Sequence, residues 1–306
     1  MVKLKDLIQK EPIMEGGHRM CLGCGAPIIV NLILRTSDAP VVLANATGCL
    51  EVASTIFPYT AWRAPWMHSA FENAAATASG IETMYRALRK KGKINKKINF
   101  VAFGGDGGTY DIGFQSLSGA LERGHRFLYV CYDNGAYMNT GVQRSSSTPF
   151  GAATTTSPAG LVIQGKLQKR KDLTKIVVAH NIPYVAQASP HNWLDLTKKA
   201  EKAFSVDGPS FLNVVSPCPP GWKSEAKDTI GLSKIAVDTC FWPLYEVENG
   251  KYTINYKPKE KLPIEAWLKP QGRFRHLFKP ENAELLKQIQ QDIDKEWEAL
   301  QRLASL

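Results

Sequence analysis

Unbroken apolar runs alternate with stretches of helical spacing up to about residue 215. The runs at 41–45, 98–103, 127–132, 184–187 and 210–215 are mostly continuous rather than alternating, as strands buried on both faces are. Between them, 71–89 and 113–123 read as helices. Ser189-Pro190 predicts the start of another, with Ser as N-cap and Pro at the first helical position. Trp193, Leu196, Ala200 and Ala203 then fall on one face. Strands alternating with helices predict a layered α/β domain around a mostly parallel sheet.

Past residue 216 the texture changes. The stretch SPCPPGW holds three prolines, which fix φ and remove donors, so no regular element is expected there. Residues 244–247 and 252–256 flank Asn249-Gly250, the signature of a tight hairpin. Residues 257–280 are rich in Lys and Pro and are expected to be extended. Leu285, Ile289, Ile293, Trp297 and Leu300 then form a helical stripe. Two regions result: a main domain over 1–215 and a C-terminal extension over 216–306. The extension has little core of its own and should pack on the main domain or on a partner chain. Its Lys- and Pro-rich arm is expected to lie across a neighbouring chain.

Composition narrows the class. The chain has 306 residues, of which 44% are hydrophobic and 22% charged, ordinary for a globular protein. No apolar run approaches the ~18 residues of a membrane span. The N-terminal stretch breaks its apolar residues with charges, unlike a signal peptide, so a cytoplasmic setting with no membrane partner is expected. Lys and Arg number 38 against 28 for Asp and Glu, a formal charge of +10. The bases are scattered or in short runs and do not interleave with aromatics, which argues against nucleic acid. A solvated basic surface, an anionic cofactor or an acidic partner accounts for the charge instead.

Six cysteines are too few and too unevenly spaced for a disulfide scaffold. Cys21 and Cys24 form a Cys-x-x-Cys loop in MCLGCGAP, while Cys49 and Cys218 each follow a predicted strand. Parallel strands bring their C-terminal ends to one sheet edge, so Cys49 and Cys218 can converge on that loop. Four thiolates suit tetrahedral zinc or an iron–sulfur cluster equally, and an unligated pair of loop thiols is the simpler alternative. Cys131 and Cys240 read as buried small hydrophobes.

A second constellation runs strand, glycine-rich turn, helix in NFVAFGGDGGTYDIGFQSLSGALERG. Gly104, Gly105, Gly107 and Gly108 let backbone amides approach an anion at a helix N-terminus. Asp106 in that turn is a hard oxygen ligand suited to Mg²⁺ bridging phosphates. Asn134 follows twenty-eight positions later, after the next strand, a distance that one βαβ step returns to the same edge. The Rossmann spacing and the Walker lysine are both absent, though another kind of nucleotide-binding turn is the simpler alternative.

A Gly-Asp-Gly turn, a crossover helix and an Asn resemble the diphosphate motif of thiamine diphosphate enzymes. The ordered set GHRMCLGCGAP, NATGCLEV, PYTAW, FENAAATASGIE, GDGGTYDIG, YDNGAYMNTG, SPCPPGW and QGRFR goes further. Over nearly the whole chain it resembles the β subunits of 2-oxoacid:ferredoxin oxidoreductases, most closely the pyruvate type. The resemblance implies a thiamine diphosphate-binding fold and one [4Fe–4S] cluster held by Cys21, Cys24, Cys49 and Cys218. It implies Mg²⁺ bound by the side chains of Asp106 and Asn134 and the backbone carbonyl of Ala136. The backbone of Gly105, Asp106, Gly107 and Gly108 would face the diphosphate. Asn139 would lie near the reacting carbon, and Cys49 would touch both cluster and cofactor. The implied reaction is reversible oxidative decarboxylation of pyruvate with coenzyme A to acetyl-CoA and CO₂, with electrons passing to ferredoxin. Implied partners are α, γ and δ subunits or their fused equivalents. The glutamate that activates the cofactor belongs to the α chain, and Glu51 and Glu72 read as ordinary carboxylates. A branched-chain 2-oxoacid or oxalate as substrate is an alternative, as is a non-redox thiamine diphosphate lyase or synthase.

Overall fold

The computed structural model describes residues 4–306. In chain order its elements are α1 (Leu4–Gln9), α2 (Gly25–Leu34), β1 (Val41–Ala46), α3 (Cys49–Ser54), β2 (Trp66–Ser69) and α4 (Ala74–Lys90). There follow β3 (Asn99–Gly105), α5 (Phe114–Glu122), β4 (Leu128–Asp133), α6 (Leu173–Val178), β5 (Tyr184–Ala188), α7 (Trp193–Ser205) and β6 (Ser210–Val215). The C-terminal part adds α8 (Pro219–Trp222), α9 (Thr229–Asp238), β7 (Tyr245–Glu248), β8 (Lys251–Ile254), α10 (Glu265–Leu268) and α11 (Ala283–Leu303).

One eight-stranded sheet organises the chain, in the order β2-β1-β3-β4-β6-β5-β7-β8. The strands from β2 to β5 pair in parallel, and β7 and β8 close one side antiparallel. Strands β3 to β6 are buried almost throughout, which is why their sequences read as unbroken apolar runs. Alternate side chains serve opposite layers. Leu43, Val101, Val130 and Leu212 meet α2 and α7 through Ile29, Val30, Leu196 and Ala200. Ala44, Ala102, Tyr129 and Phe211 meet α4, α5 and α6 on the other face. Among the described residues no helix is long and apolar enough to cross a membrane.

The expected strands and the helices α4 and α5 stand where the pattern put them, within a few residues. Five features differ. Strand β2 was not anticipated: it is a four-residue edge strand with only Ser69 buried. Helix α7 starts later than expected, because Asn192 caps it by accepting from the Asp195 amide at 3.1 Å. Ser189 instead shares its hydroxyl with His191 Nδ1 at 2.8 Å. SPCPPGW does contain one helical turn, α8, whose prolines occupy the first positions, where no amide donor is needed. The hairpin turns through Asn249 (φ 49°) and Gly250 (φ 83°) as read, but it also extends the main sheet beside β5.

The fifth difference concerns 257–280, which is not extended throughout: its first residues, 257–263, carry no helix or strand. It forms α10 and a 3₁₀ segment, Gly272–Phe278. Trp267, Phe274 and Leu277 are buried there with Trp222, Trp242, Ile289 and Ile293 of the same chain. The C-terminal region therefore builds a third core against its own main domain.

The chain reverses direction between β1 and β3, with β2 on one side of β1 and β3 on the other. Ligands of open α/β sheets bind beyond the strand C-termini at such a switch point. The loops after β1, β3, β4 and β6 all emerge on that edge.

Candidate functional site

The turn after β3 is shaped by contacts that exclude side chains. A Cβ on Gly107 would fall 2.2 Å from the Tyr137 ring, and one on Gly108 would fall 2.9 Å from the Phe71 carbonyl oxygen. Tyr137 closes over the turn and donates its hydroxyl to the Gly107 carbonyl at 2.9 Å. The five residues Gly107–Asp111 make a wide π turn before α5 begins. With Thr47, Gly48 and Cys49 from the β1 loop and Asn134 and 136–140 from the β4 loop, this turn lines a cleft.

Asp106 lies at the floor of the cleft, 1% exposed, and its Oδ2 accepts from Ser145 Oγ at 2.5 Å. Burial, and then the like charge of Asp133, push its carboxyl well above the usual carboxylate range. The Asn134 amide reaches Asp106 Oδ1 at 2.9 Å and the Ala136 carbonyl at 2.8 Å, with its NH₂ donating to both. Turned over, the same amide would gather three oxygens, from Asp106, Asn134 and Ala136. That is a hard-oxygen set suited to Mg²⁺, and a carboxylate that burial disfavours as an anion gains from such a cation.

Asp133 holds this loop in place. Its Oδ1 accepts from the Gly135 amide at 3.1 Å and from Ser147 Oγ at 2.5 Å. Its Oδ2 accepts from Tyr110 at 2.6 Å and from Arg170 at 2.8 Å. Arg170 lies over the Trp242 ring at 4.6 Å and the Tyr110 ring at 5.4 Å.

The cysteines meet next door. Cys21, Cys24, Cys49 and Cys218 line one cavity of about 370 Å³. Backbone contacts assemble it: Gly25 N–H donates to the Pro217 carbonyl at 3.0 Å and Arg19 N–H to the Ala53 carbonyl at 2.7 Å. Cys24 N–H donates to the Cys21 carbonyl at 3.0 Å, which tightens the Cys-x-x-Cys loop. Trp222 ties the Cys218 turn to the cation loop by donating Nε1 to the Asn134 carbonyl at 2.6 Å. Burial pushes the Cys24 and Cys49 thiols up to about 12, and the neighbouring cysteines add to it. Such thiols ionise readily only beside positive charge, as a metal supplies. Among the described residues, no three His, Cys, Asp or Glu side chains stand close enough together to bind a single metal ion. Four thiols around a roomy cavity fit a polynuclear cluster better than one tetrahedral zinc.

The cleft and the cavity share a wall made of Cys49, Tyr132, Asn134 and Asn139. The four cysteines of the cavity, Gly105, Asp106, Gly107, Gly108, Asn134, Ala136 and Asn139 thus each lie on one of these two spaces, whereas Gly104 does not. Asn139 is exposed at their common rim. Cys131 and Cys240 are buried and free, and Cys131 points into the sheet core. Glu51 accepts from Thr55 at 3.5 Å and Glu72 from Asn73 at 3.4 Å, ordinary roles for helix-terminus carboxylates. The sequence reading missed Tyr132, Tyr137, Ser145 and the Asp133–Arg170 pair. Ser145, in the run RSSSTP, carried a weak signal as a cluster of loop hydroxyls.

Comparison with known proteins places the chain first by class. The C-terminal TPP-binding domain of thiamine pyrophosphate enzymes matches residues 46–214. Among solved structures, the 2-oxoglutarate:ferredoxin oxidoreductase of Magnetococcus marinus superposes with a TM-score of 0.56 at 20% identity. That match covers 73% of this chain and 79% of the other, and it supports the fold. Pyruvate synthase subunit PorB of Thermotoga maritima is 52% identical over 98% of this chain and 95% of its own length. The PorB subunit of Methanocaldococcus jannaschii is 53% identical over 95% and 97%. The chain belongs to the PorB family of pyruvate synthase subunits.

Proposed function

We propose that this chain is the subunit of a pyruvate:ferredoxin oxidoreductase that carries the diphosphate half of the thiamine site together with a [4Fe–4S] cluster. The wall shared by the glycine-rich cleft and the four-cysteine cavity carries this reading. A non-redox thiamine enzyme would have no use for a four-thiol cavity that shares a wall with its cofactor cleft.

The residues divide the work. Backbone amides of Gly105, Asp106, Gly107 and Gly108 face the diphosphate, and the neighbouring helix start favours its charge. Asp106, Asn134 and the Ala136 carbonyl hold Mg²⁺, and Asp133 fixes the loop that presents the last two. Thiamine diphosphate supplies the electron sink for cleaving the bond between the 2-oxo carbon and its carboxylate. Asn139 stands at the rim where substrate enters and orients it by hydrogen bonding. Cys21, Cys24, Cys49 and Cys218 hold the cluster that takes the electrons.

The chain works within an assembly of α, γ and δ subunits, with coenzyme A as acyl acceptor and ferredoxin as electron acceptor. Exposed apolar side chains support this: Leu161 and Val162 are fully or nearly fully exposed, as are Phe57 and Leu22 near the cysteine loop. The test is anaerobic turnover by the assembled complex. Reduction of ferredoxin that needs both pyruvate and coenzyme A is expected. Release of CO₂ with no ferredoxin reduction would assign a lyase instead, and turnover confined to a branched 2-oxoacid would reassign the substrate.

A further inference from the structure

Tyr132 is the next-to-last residue of β4, paired with Gly105 on one side and Val214 on the other. It is 2% exposed. Its ring packs against Gly105, where a Cβ would stand 3.4 Å away, and its hydroxyl reaches Gly48, where a Cβ would stand 3.0 Å away. The side chain lines both the cleft and the cysteine cavity.

That hydroxyl has no hydrogen-bond partner among the described residues. A buried hydroxyl without an acceptor costs about 1–3 kcal/mol, and phenylalanine would fill the same space without that cost. The hydroxyl therefore answers to a group that binds here. It stands against Gly48, the residue before Cys49 at the start of α3, and Cys49 is the cysteine that faces both spaces.

We propose that Tyr132 is a positioning residue whose hydroxyl donates to the Cys49 thiolate when that thiolate ligates the cluster, and so raises the cluster's reduction potential. The inference rests on the reading of Cys49 as a cluster ligand. A hydrogen bond to a ligating sulfur stabilises the extra negative charge of the reduced state, one of the main ways proteins tune such centres. The same bond stiffens the wall between cofactor and cluster, because Tyr132 is anchored in the sheet.

The experiment compares wild type and Tyr132→Phe in the anaerobic complex by potentiometric titration followed by electron paramagnetic resonance. Cys218→Ser identifies which signal belongs to this chain. Tyr132→Phe is expected to keep its iron and to melt no lower than wild type without cofactors. Its cluster should be about tenfold harder to reduce, a midpoint about 59 mV lower for one electron. An unchanged midpoint overturns the proposal. A lower melting point in the bare chain also overturns it, since the hydroxyl would then have a partner within the protein. Weakened thiamine diphosphate binding with an unchanged midpoint places the acceptor on the cofactor and overturns it likewise. If Cys218→Ser removes no iron signal, the cluster reading itself fails, and that result appears without any change at Tyr132.

Discussion

Arg170→Met tests how the cation loop is held. The Arg170 side chain is 18% exposed and that of Asp133 3%, with 2.8 Å between Nη2 and Oδ2. Methionine keeps much of the stem between Tyr110 and Trp242 but leaves a buried carboxylate without its counter-charge. Breaking such a pair costs about 3–5 kcal/mol. Asp133 keeps its bonds from Tyr110, Ser147 and Gly135, so the lower end, about 3 kcal/mol, is expected here. The assay is chemical denaturation of Arg170→Met, Asp133→Asn and the double variant. A coupling of about 2–3 kcal/mol is expected, within the range of residues sharing one network. Because Asp133 holds the Gly135 amide, both single variants should also bind Mg²⁺ and thiamine diphosphate more weakly. A coupling under about 0.5 kcal/mol, as for exposed pairs, would show that hydroxyls alone satisfy Asp133 and would refute the reasoning.

Three further outcomes are expected. Asp106→Ala should retain the fold but lose most thiamine diphosphate affinity in calorimetric titration with Mg²⁺, since it removes the one charged ligand of the oxygen set. Cys24→Ser and Cys218→Ser should each lose most of the iron bound by this chain and all ferredoxin reduction, because a hydroxyl replaces a soft thiolate poorly; iron and activity at wild-type levels would contradict the cluster assignment. Burial lowers the His191 imidazole from its usual 6.5 to about 4, so the unfolded chain binds the extra proton first as pH falls. Its contribution is therefore intact above pH 6.5 and is lost as pH falls toward 4; thermal melts of His191→Gln should show a shallower loss over that window, and identical profiles would exclude the group.

The central sheet was legible because strands buried on both faces leave continuous apolar runs, and the Gly-Asp-Gly turn because its glycines have no substitute beneath Tyr137 and Phe71. What stayed hidden depends on distant partners. Strand β2 lies at the sheet edge with most of its side chains unburied, so it shows no period. The helical turns within 257–280 form because Trp267 packs edge-on against Trp222 and tilted against Phe274, a tertiary effect that overrides a Lys- and Pro-rich composition. The C-terminal arm looked short of core because its burying partners lie far back along the chain, at Ala152, Val215 and Trp222. The cysteines were legible as a set, but not the wall they share with the cleft. That wall requires Tyr132, which as a sequence letter reads as one more aromatic in a buried strand.

An anomalous difference map at the iron edge, from anaerobically grown crystals of the complex with Mg²⁺ and thiamine diphosphate, tests the central claim most directly. The account predicts a four-iron peak enclosed by Cys21, Cys24, Cys49 and Cys218, and diphosphate density over Gly105, Asp106, Gly107 and Gly108 across the Tyr132 wall. Zinc at the cysteines, or iron elsewhere with that cavity empty, would contradict it.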